Sequence, residues 1–532
     1  MKRSMTGFAV IASVMLAFGD AEPVRWSGEL VKEIPCVSAG QNNFDFEIPF
    51  SLTGCWGISF VPEMPAEQIL QIDEAFFFFR TGPSSKATGW YGKPFFPVHP
   101  SERMFFAFGD GWLTQLKPEG WDKVTGIRVA ICLRSRDKPP FSTLNLALKD
   151  MNLALKDMKL HVVEPEEVRE AKAAMPKKVL AYPPVAGERH FAWMNDLLSI
   201  RGRFDWEPFI RRAAEDGITD LVPLVATSEK AVYRSKVLPV DEKELAANGD
   251  QLELAKETCH KYGIKLHTWK VNWSCLSEKA PAVEQYRSEG RMGKRWRGWK
   301  DKDSKIDDTL WLCPSDERNR KLEFDAMLEL AGKGIDGIHF DYIRFDRRRT
   351  CYCDRCRALF ENRIGRPVAN WPKDCAYVDG PLAAQWDAFR RDTISELVRR
   401  VASEVRIRHP KVEISAAVTT FHEDCASDWP RWCREKWLDF VCPMTYTMSM
   451  RQLEGWVDFD AKVQTETGVP VYPGIGVFSS CSQLDALACA QQLDLIRQRG
   501  FRGFAFFKLC SQSFPAFDML GKGPLAKDRG TR

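Results

Sequence analysis

The chain has 532 residues, more than one ordinary domain and enough for two or three. An apolar share of 44% and a charged share of 28% are normal for a folded soluble protein. The net charge of +4 carries no polyelectrolyte character, so nucleic acid is not expected as a partner.

Residues 1–21 read as a secretory signal peptide. Lys2 and Arg3 precede an apolar run from Gly7 to Phe18, and Gly19-Asp20-Ala21 supplies small residues near a cleavage point. The run is shorter than the roughly 20 apolar residues that a membrane span needs. No Cys at the cleavage point offers a lipid anchor, and no later stretch is long and apolar enough to span a bilayer. The expectation is an exported protein, periplasmic or extracellular, with no stable membrane insertion once the signal is removed. An uncleaved anchor or a buried helix is the alternative.

Residues 24–164 carry short β-type runs punctuated by Gly and Pro, such as Phe44–Leu52, Gly57–Val61, Ala75–Arg80 and Thr125–Arg134. That texture predicts an all-β sandwich. Trp56, Trp90, Tyr91, Trp112 and Trp121 lie here, as core or as flat platforms for a ligand. Asn145–Met151 is repeated as Asn152–Met158, NLALKDM twice. An insertion of odd length flips the face of a strand, so one copy is expected to loop out or to extend a hairpin. A charged, Ala-rich linker covers 165–187.

From 188 to 520 the rhythm becomes strand–helix alternation. Five times a helical stretch ends in Gly before a β-type run: Gly217, Gly263, Gly334, Gly468 and Gly500. Gly tolerates the left-handed conformation that stops a helix. Eight strands are expected at His190–Met194, Asp220–Ala226, Lys265–Trp273, Gly337–Phe345, Glu413–Thr420, Asp439–Tyr446, Val471–Phe478 and Gly503–Leu509. Eight such units suit a (β/α)₈ TIM barrel. An open doubly wound sheet would usually show a Gly-rich phosphate loop after its first strand, and none is present.

In such barrels the active site lies at the C-terminal strand ends. Asp341, inside an apolar run, is the first candidate for a catalytic group, as nucleophile or general base, because burying an unpartnered carboxylate is costly. His339 shares its strand parity, which sends both to the inside and Ile338 and Phe340 to the helices. The alternative is a structural ion pair with Arg344 or a barrel-layer hydrogen bond. For a second acid, Glu423 and Asp424 just past strand five come first, ahead of Asp346 and Asp196. His267, Trp269, Asn272, Trp273, His339, Tyr342, Arg344, Tyr446 and Lys508 are the candidates for lining the mouth.

Cys351, Cys353 and Cys356 form C-x-C-x-x-C directly after strand four. Thiols this tightly spaced suit a tetrahedral Zn²⁺ better than disulfides. Cys313, in the neighbouring loop, is the expected fourth ligand, with Cys375 as the alternative. Such a closed site is structural, so a structural Zn is the only cofactor expected and catalysis itself needs none.

Residues 188–509 resemble the barrels of the glycosyl-hydrolase-like family 10. The landmarks are Tyr233–Pro239 (YRSKVLP), His260–Trp269 (HKYGIKLHTW), Cys313-Pro314-Ser315, Asp336–Phe345 (DGIHFDYIRF), Asp439–Tyr446 (DFVCPMTY) and Val471–Gly476 (VYPGIG). The resemblance implies hydrolysis of a poly- or oligosaccharide. Aromatic faces stack on pyranose rings, which makes the strand-end aromatics candidate sugar platforms and the β-sandwich a candidate carbohydrate binder. Strand four is also similar to that of α-amylase-type barrels, where its Asp is the nucleophile and a Glu follows strand five, here Glu423. Their Asp after strand seven is replaced here by Gly476, Val477 and Phe478. The cysteine segment resembles the zinc cluster of a bacterial β-galactosidase family, whose catalytic Asn-Glu pair has no counterpart. In the chitinase-type pattern the final Glu falls on Ile343. A non-catalytic polysaccharide-binding protein on the same scaffold is the alternative function.

Overall fold

The computed structural model describes residues 15–18, 30–35, 41–48, 52, 55–65, 68, 72–83, 87–94, 104–107, 113–116, 118–133, 142–155, 160–163, 174–195, 204–296, 306–346, 350–377, 379–420, 425–479 and 482–526. They fall in two compact units, Met1–Ala174 and Met175–Arg532. The expected leader lies outside the described residues except for Met15–Phe18, a strand antiparallel to Leu160–Val163.

In the first unit, one sheet runs Gln41–Glu47, Val124–Leu133, Ile72–Thr81, Gly89–Pro94, Leu113–Leu116. The other runs Leu30–Pro35, Thr143–Leu155, Cys55–Glu63, Met104–Ala107. All these pairs are antiparallel. Phe44, Phe77, Phe79 and Val129 from the first sheet share a buried core with Ile58, Phe60, Leu144 and Leu148 from the second, which makes a sandwich. Tyr91 and Trp121 stack at 4.0 Å against this core, and Arg128 covers Trp90 at 4.5 Å, so these aromatics are engaged in packing. Trp112 lies outside the described residues.

The duplicated heptad is not looped out. The first copy and Asn152–Leu155 of the second run through the single strand Thr143–Leu155, whose register against Cys55–Glu63 shifts between Lys149 and Asn152; the rest of the second copy lies outside the described residues. Leu148 faces Pro62 before the shift and Leu153 faces Ile58 after it. Pro62 and Ile58 have the same parity, so the bulge adds the residue that makes an odd repeat even.

The second unit is an eight-stranded parallel barrel. Its strands, numbered one to eight in chain order, are Arg189–Met194, Asp220–Ala226, Lys265–Val271, Gly337–Asp341, Glu413–Val418, Phe440–Pro443, Gly474–Ile475 and Gly503–Phe507. They are hydrogen-bonded in the order six, five, four, three, two, one, eight, seven. Closure comes from the segment before strand seven, where Tyr472 N–H donates to the Val441 carbonyl at 2.9 Å. The helix-ending glycines all have positive φ, from 66° at Gly468 to 86° at Gly217. Helices pack outside: Trp386, Phe389, Leu397, Val401 and Val405 on Ala383–Arg408 are buried in one core with Ile338 and Phe340. Phe191, Trp193, Val222, Leu224, Trp269, Cys442, Tyr472 and Ala505 fill the barrel interior. No helix among the described residues is long and apolar enough to cross a membrane.

Candidate active site at the barrel mouth

Asp341 is the last residue of strand four, beside Val271 of strand three. Strand alternation points it inward, and its partners agree. Trp269 Nε1–H donates to Oδ2 at 3.0 Å and the Tyr342 backbone N–H donates to Oδ1 at 2.6 Å. The carboxyl makes no ion pair among the described residues. Burial pushes its pKa up to about 6, against the pull of the Tyr342 amide, Arg344 and Trp269. Of the two structural alternatives, a hydrogen bond within the barrel, from Trp269, does form, whereas the ion pair with Arg344 does not. That guanidinium lies over the Tyr342 ring at 4.7 Å, and its Nη1–H points to Cys425 Sγ at 3.4 Å.

Tyr342, Met444, Tyr446 and Phe507 are the partly exposed rim of the interior cluster. Tyr446 stacks on Phe507 at 5.0 Å and meets Trp193 edge-on at 6.1 Å. Trp269 lies 6.3 Å from Phe507, which links the carboxyl to this aromatic set. Lys508 Nζ donates to Asn195 Oδ1 at 2.7 Å across the ends of strands eight and one. Below them sits His339, fully buried. Trp193 Nε1–H donates to its Nε2 at 3.1 Å, which leaves the ring proton on Nδ1, 2.9 Å from Ser415 Oγ. Burial, with a smaller effect from His267, lowers its pKa to about 3, so the ring is neutral at physiological pH.

Three of the expected mouth residues lie elsewhere. His267 is at the opposite end of the barrel. Its Nε2 is 3.0 Å from Asp220 Oδ1, and Arg189 bridges Asp220 at 2.5 Å and Glu413 at 2.9 Å. Arg189, Asp220 and Glu413 are the first residues of their strands, so this group, with Asp220 and His267 buried and Arg189 and Glu413 half-buried, closes the barrel floor. A Cβ on Gly337 would come within 2.1 Å of the His267 ring, so Gly there is what admits the imidazole. Asp220, His267 and Glu413 are close enough to share a metal ion, but the Arg189 guanidinium already supplies the positive charge. Asn272 faces the helix layer, donating to Glu323 Oε2 at 2.7 Å beside Lys270, which pairs with the same carboxylate. Trp273 has φ 64°, which takes it off the strand alternation, and it is fully buried in the helix-side core.

Glu423, Asp424 and Asp196 lie outside the described residues. The described residue after the first two, Cys425, accepts from Phe345 N–H at 2.9 Å, four residues beyond Asp341. Asp346 is engaged by Arg295. A separate cleft of about 550 Å³, lined by Phe204, Arg212, Phe514 and Asp518 among others, includes no residue of the strand-four end. Reading residue types at strand ends did not single out Trp193, Ser415 or Phe507. The parity of strands one, five and eight is the signal that would have found them.

Cys313, Cys351, Cys353 and Cys356 converge, fully or largely buried, with all four sulfurs within 4.8 Å of one another. Cys313 Sγ is 3.6 Å from Cys353 Sγ and 3.5 Å from Cys356 Sγ. Cys375 is a free buried thiol outside this group, as are Cys442 and Cys510.

Residues 207–485 match the family model described as glycosyl hydrolase-like 10. Among solved structures, the chain is similar to the PgaB (BpsB) glycoside hydrolase domain from Bordetella bronchiseptica, at 13% identity and a TM-score of 0.47, over 64% of this chain and 99% of that one. It is similar to the catalytic domain of a β-amylase from Paenibacillus polymyxa at 12% identity and a TM-score of 0.44, over 64% and 96%. It is also similar to the agarase AgWH50C at 11% identity and a TM-score of 0.43, over 93% and 90%. No curated protein matches the chain. The family match covers more than half of the sequence, and the chain belongs to the glycosyl hydrolase-like 10 family.

Proposed function

We propose that this chain is an exported glycoside hydrolase that cleaves a poly- or oligosaccharide at the mouth of the barrel. The observation that carries the reading is Asp341, a buried carboxyl without an ionic partner among the described residues, at the C-terminal end of an inward-facing strand. A group that ionises near pH 6 can hold a proton for a leaving oxygen or act as a base or nucleophile once ionised. Glycosidic hydrolysis uses two carboxyls. Glu423 or Asp424 is our choice for the second, because the strand-five loop returns to the strand-four end at Cys425. A spacing of about 5 Å would mean retention of configuration, and about 6.5–9.5 Å inversion.

Tyr342 and Tyr446 would present aromatic faces and edges to a sugar, with Trp269 buried beneath them as the hydrogen-bond donor to Asp341 and Arg344 and Lys508 as polar contacts at the rim. No cofactor enters this reaction, and the metal we assign to the chain is structural. Export rests on Lys2, Arg3 and the apolar run that follows them.

Non-catalytic polysaccharide binding is the second reading. Among the described residues no carboxylate hydrogen-bonds to Asp341 or perturbs its charge, and strand seven leads into Gly476, Val477 and Phe478. The test is to incubate the purified chain with a panel of polysaccharides and measure new reducing ends. Release from at least one supports hydrolysis. Retention on a polysaccharide with no release from any supports the binding reading.

A further inference from the structure

We propose that Cys313, Cys351, Cys353 and Cys356 bind one Zn²⁺, and that this ion fastens a β-hairpin against the loop leaving strand four, so setting one flank of the mouth. Four thiolates around a tetrahedral zinc, with Zn–S near 2.3 Å, place their sulfurs about 3.8 Å apart. The 3.5 and 3.6 Å separations here are close to that, and no sulfur pair exceeds 4.8 Å. Four protein ligands leave no open position, so the ion would be structural.

The surroundings suit thiolates. Lys294 backbone N–H donates to Cys351 Sγ at 3.2 Å and Cys356 N–H donates to Cys353 Sγ at 3.4 Å. Such second-layer bonds orient metal ligands. Cys353 is also the N-cap of the helix Asp354–Ile364, where the helix dipole favours negative charge.

The four ligands come from two places. Cys313 directly follows the second strand of the hairpin Met292–Trp296/Ile306–Leu312, and the others follow strand four. The ion would therefore lock these segments together. Tyr352 N–H to the Lys294 carbonyl at 2.9 Å and the Arg355–Asp316 ion pair tie the same elements. The hairpin carries Trp311, which meets Tyr342 edge-on at 5.2 Å, with Arg344 5.7 Å from its ring. The residue after Asp341 is thus buttressed by a tryptophan whose strand ends at a metal ligand.

The full chain, expressed with zinc and kept reduced, should hold one zinc per molecule by native mass spectrometry and elemental analysis. Replacing zinc with cobalt should give the visible bands of a tetrahedral thiolate site. Cys313→Ser and Cys356→Ser should lose the ion, whereas Cys375→Ser should keep it. Removing zinc from the wild-type chain should speed amide exchange in 292–296 and 306–312 at least tenfold, with strands one to three unchanged. Iron in place of zinc, no stoichiometric metal, or disulfides among these four cysteines would overturn the assignment. Unchanged hairpin exchange after metal removal would overturn the fastening role. The cobalt spectrum and exchange are read on the wild-type chain, so misfolded variants do not blunt the test. Neither readout depends on hydrolysis, so the site stands or falls apart from the glycosidase reading.

Discussion

Asp341 ends strand four in surroundings that disfavour its charge. It keeps two hydrogen-bond donors, Trp269 and the Tyr342 amide, but no counter-ion among the described residues. This geometry makes the pH–rate profile diagnostic. If Asp341 acts as acid, activity falls as pH rises through about 6; if it acts as base or nucleophile, activity falls as pH drops through about 6. Trp269→Phe removes a donor that favours the ionised form, so the limb belonging to Asp341 should move to higher pH. A profile with no limb near that pH would contradict the assignment.

The same group makes a stability prediction. Its folded-state pKa lies above the value near 3.8 of a free aspartate, so the folded chain binds this proton more tightly than the unfolded one. Its contribution is fully present below about pH 4 and is lost as pH rises to about 6. Asp341→Asn does not titrate, so the Tm of the variant relative to wild type should climb across that window and then level off. A Tm difference that does not vary with pH would show that the carboxyl is not desolvated in solution.

At the scale of elements, the floor and the mouth of the barrel play opposite roles. Burial raises the Asp220 pKa, but hydrogen bonds and charge from His267 and Arg189 outweigh it and hold the carboxyl well below its usual range. That contribution is present above about pH 4 and lost on further acidification. Asp220→Ala leaves Arg189 and His267 without their shared acceptor and should cost about 3–5 kcal/mol in denaturant unfolding, in the manner of a broken buried ion pair. A loss well under 1 kcal/mol would show that the floor is not held by this group.

The helix–Gly–strand rhythm made the barrel legible, because a period of two against a period of 3.6 is written locally. Strand ends were less so. The β-type pattern of strand three continues through Trp273 and that of strand four through Phe345, but the ladders stop at Val271 and Asp341, next to positive φ at Trp273 and Tyr342. Hydropathy does not record that change of backbone. The parity of His339 and Asp341 was readable from the pleat alone. The floor was not: Arg189 lies 31 residues from Asp220 and 224 from Glu413, and only closure of the sheet brings them together. Cys313 was placed with the triplet because neighbouring loops share one barrel face.

On the scale of the whole molecule, the paired charges and the proposed catalytic carboxyl lie at opposite ends of the barrel. Charge is neutralised at the floor by Arg189, the middle is packed with Phe191, Phe440 and Tyr472, and at the mouth Asp341 has no ionic partner among the described residues. Placing strain and unpaired charge where they can act, on a scaffold stabilised elsewhere, is a common arrangement in enzymes. The most direct test compares wild type with Asp341→Asn on a polysaccharide that the wild type cleaves. Turnover should fall by about 10³-fold or more while the Kd for that polysaccharide stays within a few-fold. Undiminished release of reducing ends by Asp341→Asn would contradict the account.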